Sequence, residues 1–139
     1  MALNLINYDI TIQKQEEIPM IEPGPNNVNT INKGESLKWL EGDEKMLKRI
    51  RAIFVKNVPG QIEKLKEAVR ENDVVLVERL AHSIKGSASM IGALLLRDEA
   101  YKIELSIKDK DMKKTGLLCE GLAMEGERVL KALKETNEA

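Results

Sequence analysis

The chain has 139 residues, 42% of them hydrophobic, with 22 basic and 23 acidic side chains and a net charge of −1; this suits a single domain with one core and offers no basic footprint for nucleic acid. A single cysteine excludes an internal disulfide and the usual cysteine-based zinc patterns. No apolar run approaches the roughly 18 residues that cross a bilayer, and the first residues carry neither the basic region nor the apolar core of a signal peptide, so the expectation is a cytoplasmic protein with no direct membrane insertion.

Met1 to Lys33 differs from the rest of the chain, since it holds three of the four prolines and six asparagines, and the run from Pro23 to Asn27 cannot continue a helix. Residues 1–33 read as a linker or flexible N-terminal arm, and residues 34–139 as a helical bundle. A short helix is predicted near Glu35 to Trp39, broken at Gly42. Asp43 is a suitable N-cap, and Glu44 complements the first-turn dipole. Met46, Ile50, Ile53 and Phe54 mark one helical stripe; Val58, Ile62, Leu65 and Val69 mark a second, rotated by roughly 80° on an ideal wheel, with Pro59-Gly60 between them. The interruption fits a kinked helix or two helices; the absence of a polar turn between the stripes favours the kink.

The run Glu71-Asn72-Asp73 ends that segment, and Asp73 caps the next helix. There Val77, Leu80, Ala81, Ile84, Ala88 and Ile91 fall within about 100° of arc, with Leu76 at the edge, and this stripe must face a core. His82, the only histidine, lies roughly 160° from Ile84, in the company of Glu78, Lys85, Gly86 and Ser89, so its imidazole faces solvent. Val75 shares that face, as a docking contact or as a first-turn residue covered by the arm. An exposed histidine is a nucleophile, a base, a ligand or simply a solvated side chain. Lys85, three residues on, is a helical neighbour that would stabilise an anion carried on His82. Gly86 costs its helix about 0.8 to 1.0 kcal/mol relative to alanine and leaves bare backbone beside the histidine, which suggests close approach of something large.

Gly92 closes this helix, and Leu94 to about Lys108 forms the next, with Leu96, Ala100, Ile103 and Ile107 inward. A polar turn at Asp109 to Asp111 leads to a final helix from about Met112 to Glu135, which buries Thr115, Cys119, Leu122, Val129 and Leu133, with Gly126 allowing close packing. If the helices flanking Gly92 are antiparallel, His82 lies roughly 15 Å before the turn and Glu104 roughly 18 Å after it, at nearly one level. Glu104 borders its helix's buried stripe, within reach of the imidazole; Lys108, one turn beyond, is a weaker candidate for the same anionic site.

The stretch Ala81 to Ala93, A-H-S-I-K-G-S-A-S-M-I-G-A, resembles the signature of the histidine-containing phosphotransfer domain family, matching it at His82, Lys85, Gly86, Ser87, Gly92 and Ala93. Leu40 to Glu44 is similar to the family's approach to its second helix, where a later proline is also common, and the resemblance spans about Gly34 to Glu135. The fold expected is all-α, an antiparallel four-helix bundle with a short extra N-terminal helix. The resemblance implies a phosphorelay intermediate that takes a phosphoryl group from a receiver-domain aspartate onto His82 and passes it to another receiver. In that reading Lys85 steadies the phosphoryl oxygens, Glu104 accepts a hydrogen bond from the ring nitrogen that is not phosphorylated, and Gly86, Ser89 and Glu78 face the partner. The partners implied are receiver domains of response regulators or hybrid histidine kinases. The chain offers no carboxylate cluster beside His82, so it is expected to hold no cofactor of its own, with Mg2+ coming from the receiver, and to act as a phosphoryl carrier rather than an enzyme. Two alternatives are the phosphate-accepting domain of a chemotaxis-type histidine kinase and a helical interaction module that never carries phosphate.

Overall fold

Short polar caps set where four of the five described helices begin. Asn32, Asp43, Asp73 and Asp111 each accept a hydrogen bond from the backbone N–H three residues on, satisfying a donor that the first helical turn leaves free. In a computed structural model, which describes residues 30–136, the helices are α1 (Lys33–Trp39), α2 (Glu44–Arg70), α3 (Val74–Ile91), α4 (Leu94–Lys108) and α5 (Met112–Thr136). No strand occurs among the described residues. Turns of two or three residues join α2 to α5 in series, so sequential helices run antiparallel. α3 packs on α2 and α4, and α5 packs on α4 and α2, closing a four-helix bundle with α1 laid across α2 and α3. This is the predicted fold.

The core is one cluster built from all four long helices. From α3 it takes Val77, Leu80, Ala81, Ile84, Ala88 and Ile91, and from α4 Leu96, Ala100, Ile103 and Ile107. α5 adds Cys119, Leu122, Val129 and Leu133. These are the stripes expected from periodicity. Buried Thr115 is satisfied inside the bundle: its hydroxyl donates to the Asp111 carbonyl and lies 2.6 Å from the Ser106 hydroxyl.

The long second helix corrects the sequence reading, mainly in its first half. Continuous through Pro59, α2 buries Leu47, Phe54, Val58, Ile62, Leu65 and Ala68 as one stripe. Met46 and Ile53 are exposed and Ile50 is only half-buried. With Leu47 in place of Met46 and Ile53, and Ala68 in place of Val69, the buried residues of both halves share one stripe. Pro59 withholds one N–H from the helical ladder without ending it.

The described chain begins on the bundle rather than away from it. Thr30 is buried, Ile31 packs against the core, and the Asn32 N–H donates to the Gly92 carbonyl at 2.7 Å. The Ser36 hydroxyl donates to the Met90 carbonyl, and Arg128 Nη2 donates to Thr30 Oγ1 at 3.1 Å. Thr30 to Lys33, assigned by composition to the arm, is therefore in contact with the bundle; Met1 to Asn29 lies outside the described residues.

Candidate functional site

The turn at Gly92 sets the site. Gly92 has φ +78°, a left-handed conformation that glycine adopts without steric cost, and it ends α3 while Ala93 opens α4. The hairpin then pairs residues in a fixed register: three residues forward along α3 correspond to three residues back along α4. His82 meets Glu104, and Lys85 meets Tyr101.

The first pair is strongly asymmetric in exposure. The His82 side chain is 71% exposed, the Glu104 side chain only 12%, and His82 Nδ1 lies 2.9 Å from Glu104 Oε2. A carboxylate only accepts, so a neutral imidazole here carries its proton on Nδ1 and donates it to Oε2. That leaves Nε2 with a free lone pair. The other oxygen, Glu104 Oε1, is 2.7 Å from Lys85 Nζ and has no other donor. Lys85, 28% exposed, also places its ammonium 5.1 Å from the centroid of the Tyr101 ring, within the range of a cation–π contact. His82, Glu104, Lys85 and Tyr101 thus form one chain of contacts across α3 and α4.

The remaining predicted residues fall around this chain. Gly86 is exposed, and a methyl group added there would meet nothing within 4 Å. Ser89 is half-buried, and its hydroxyl donates back to the Lys85 carbonyl at 3.0 Å, so it is used within α3. Glu78 and Lys108 are exposed and make no ion pair among the described residues. Val75 is 66% exposed, and no described residue covers it. Two partners are not evident from periodicity. Tyr101 is legible only through the hairpin register, and Gln61 of α2, whose Nε2 donates to the Ser83 hydroxyl at 3.0 Å, is a pairing between helices that a helical wheel does not give. No group of three or more His, Cys, Asp or Glu side chains suited to a metal ion occurs among the described residues.

The bundle thus displays one exposed imidazole on α3, backed by a buried carboxylate from the adjoining helix. The family model for the Hpt domain matches residues 49–137, well over half the chain, and the chain belongs to the Hpt domain family. Hpt domains are phosphocarrier modules that serve histidine phosphotransfer in phosphorelays, together with receiver domains. The match begins within α2, so α1 and the turn after it precede the matched region. No curated protein and no solved structure matches the chain. No described helix is long and apolar enough to cross a membrane.

Proposed function

We propose that this chain is a cytoplasmic phosphorelay intermediate in which His82 takes a phosphoryl group from the aspartate of one receiver domain and gives it to another. The Nε2 lone pair forms the N–P bond as the O–P bond of the aspartyl phosphate breaks and the aspartate leaves as carboxylate. Positive charge then develops on the ring, where Glu104 receives the Nδ1 proton as a hydrogen bond. Lys85 neutralises the phosphoryl oxygens, and the bare backbone at Gly86 admits the receiver, with Ser89 and Glu78 at the margin of the docking face. Glu104, the carboxylate beside His82, is engaged at both oxygens, so these residues do not suit Mg2+; the ion that phosphoryl transfer uses belongs to the receiver.

The observation that carries this reading is the 2.9 Å contact between an exposed imidazole and a buried carboxylate, which orients a nucleophile where a large partner can reach it. Incubation with a receiver carrying labelled phosphate tests it. Label should appear on the chain, be lost in acid as phosphohistidine is, and be absent from His82→Gln, whose melting temperature should stay close to the parent's because the position is 71% exposed and the glutamine amide can still donate to Glu104. Label that persists in His82→Gln would overturn the assignment. The carboxylate of Glu104, where an amide would also accept the proton, favours a second reading as the phosphate-accepting domain of a chemotaxis-type kinase. Labelling by ATP and such a kinase domain, and not by a phosphorylated receiver, would select it.

A further inference from the structure

We infer that Tyr101 is a positioning residue for Lys85, holding its ammonium beside His82 so that the charge can pass from Glu104 to an arriving phosphoryl group. The inference rests on the phosphorelay reading of His82. A lysine ammonium is a strongly hydrated point charge on a flexible stem, and on an exposed helix face it would spend most of its time in water. Here it is confined from two sides, by Glu104 Oε1 at 2.7 Å and by the Tyr101 ring at 5.1 Å.

Tyr101 has no other visible task. It is 49% exposed, so the core does not require it, and its hydroxyl makes no hydrogen bond among the described residues. What remains is the face of the ring. Its place is set by the hairpin: Lys85 is one turn after His82 on α3, and Tyr101 is one turn before Glu104 on α4, so the ring stands level with the lysine while the carboxylate stands level with the imidazole.

The two holds on Lys85 differ in kind. Glu104 competes with a phosphoryl group for the ammonium, because both are anions. The ring is neutral and attracts the cation without opposing its transfer to new oxygens. On phosphorylation of Nε2, Lys85 therefore leaves Oε1 for the phosphoryl oxygens with the aromatic wall still behind it, and Glu104 keeps its hydrogen bond from Nδ1.

The test compares the parent, Tyr101→Phe and Tyr101→Leu, each also carrying Lys85→Ala. Transfer from a phosphorylated receiver should slow by about two- to fivefold in Tyr101→Leu, the factor a cation–π contact at an exposed site supplies. It should recover in Tyr101→Phe, which keeps the ring. In the Lys85→Ala background Tyr101→Leu should have no further effect. In the unphosphorylated proteins, the Lys85 ε-methylene proton resonance should be displaced by the ring current in parent and Tyr101→Phe and return to its ordinary position in Tyr101→Leu. An unchanged Lys85 resonance in Tyr101→Leu overturns the inference, as does an equal slowing with and without Lys85, which would mean that Tyr101 touches the receiver directly. If the resonances follow the series while no variant takes up phosphate, the phosphorelay reading falls and the Tyr101–Lys85 contact stands.

Discussion

Glu104 serves two donors through two oxygens, and the amide variant separates the two tasks. In Glu104→Gln the side-chain carbonyl can still accept the proton on His82 Nδ1, now 2.9 Å from Oε2, but a neutral amide has no hold on Lys85, now 2.7 Å from Oε1. Glu104→Ala removes both. The nitrogen resonances of the neutral His82 imidazole should therefore report the Nδ1–H tautomer in the parent and in Glu104→Gln, and lose that preference in Glu104→Ala; an unchanged tautomer in the alanine variant would show that something else orients the ring. The His82–Glu104 pair was legible in the sequence because both residues can be counted from Gly92 along rigid helices of known rise. Ser89 was not, since helical position alone does not tell whether a serine hydroxyl faces a partner or turns back to the carbonyl one turn earlier, as it does here on Lys85. The Tyr101 contact obeys the same register as Glu104, but nothing in the residue types singles it out, because a half-exposed tyrosine on a helix need not face a lysine at all.

Between elements, α2 shows how far periodicity reaches. Its second half read nearly correctly, because Val58, Ile62 and Leu65 are all buried and Val69 is half-buried against the core, whereas the first half offers Met46, Leu47, Ile50, Ile53 and Phe54. These five residues define more than one stripe, and the wheel cannot choose among them. The position of α2's neighbours chooses, taking Leu47 and Phe54. Close packing at Gly126 was legible, because a glycine on a buried stripe signals close approach, but its partner, Ile62 of α2, was not. A β-carbon there would lie 2.6 Å from Ile62 Cδ1, the far end of a side chain that must turn aside within the core, so overpacking outweighs the helix-propensity gain and Gly126→Ala should destabilise by up to about 1 kcal/mol. Ile62→Val removes the obstructing methyl, and in that background the cost of Gly126→Ala should largely vanish, a coupling that paired denaturation curves measure. Gly86 provides the opposite sign: with open space around its missing side chain, Gly86→Ala should gain up to about 1 kcal/mol. Equal effects at the two glycines would show that helix propensity, not packing, governs both.

On the scale of the whole molecule, α1 and the residues just before it are tied to the bundle at the α3–α4 hairpin and at α5. Asn32, Ser36 and Thr30 reach the Gly92 carbonyl, the Met90 carbonyl and the Arg128 guanidinium. None of these pairings was legible, because the partners lie far apart in sequence and most of the bonds use backbone groups that every residue possesses. Composition pointed the other way, since asparagine, threonine and proline mark a linker as readily as a docked segment. The tie explains why Gly92 is doubly constrained. A β-carbon at Gly92 would sit 2.0 Å from the Asn32 carbonyl oxygen, in addition to the strain of φ +78°. Gly42 supplies the control, having φ +80° with nothing within 4 Å. Gly42→Ala should lose about 1 to 2 kcal/mol, the cost of a left-handed L-residue. Gly92→Ala should lose more, because backbone on both sides must move apart and the 2.7 Å hydrogen bond from the Asn32 N–H cannot survive. Hydrogen exchange separates the two causes. The Asn32 amide should lose its protection in Gly92→Ala while keeping it in Gly42→Ala, and the amides in the middle of α3 and α4 should stay protected in both. If the two variants are equally destabilised and Asn32 stays protected, the turn alone sets the requirement for glycine and the tie contributes nothing to it.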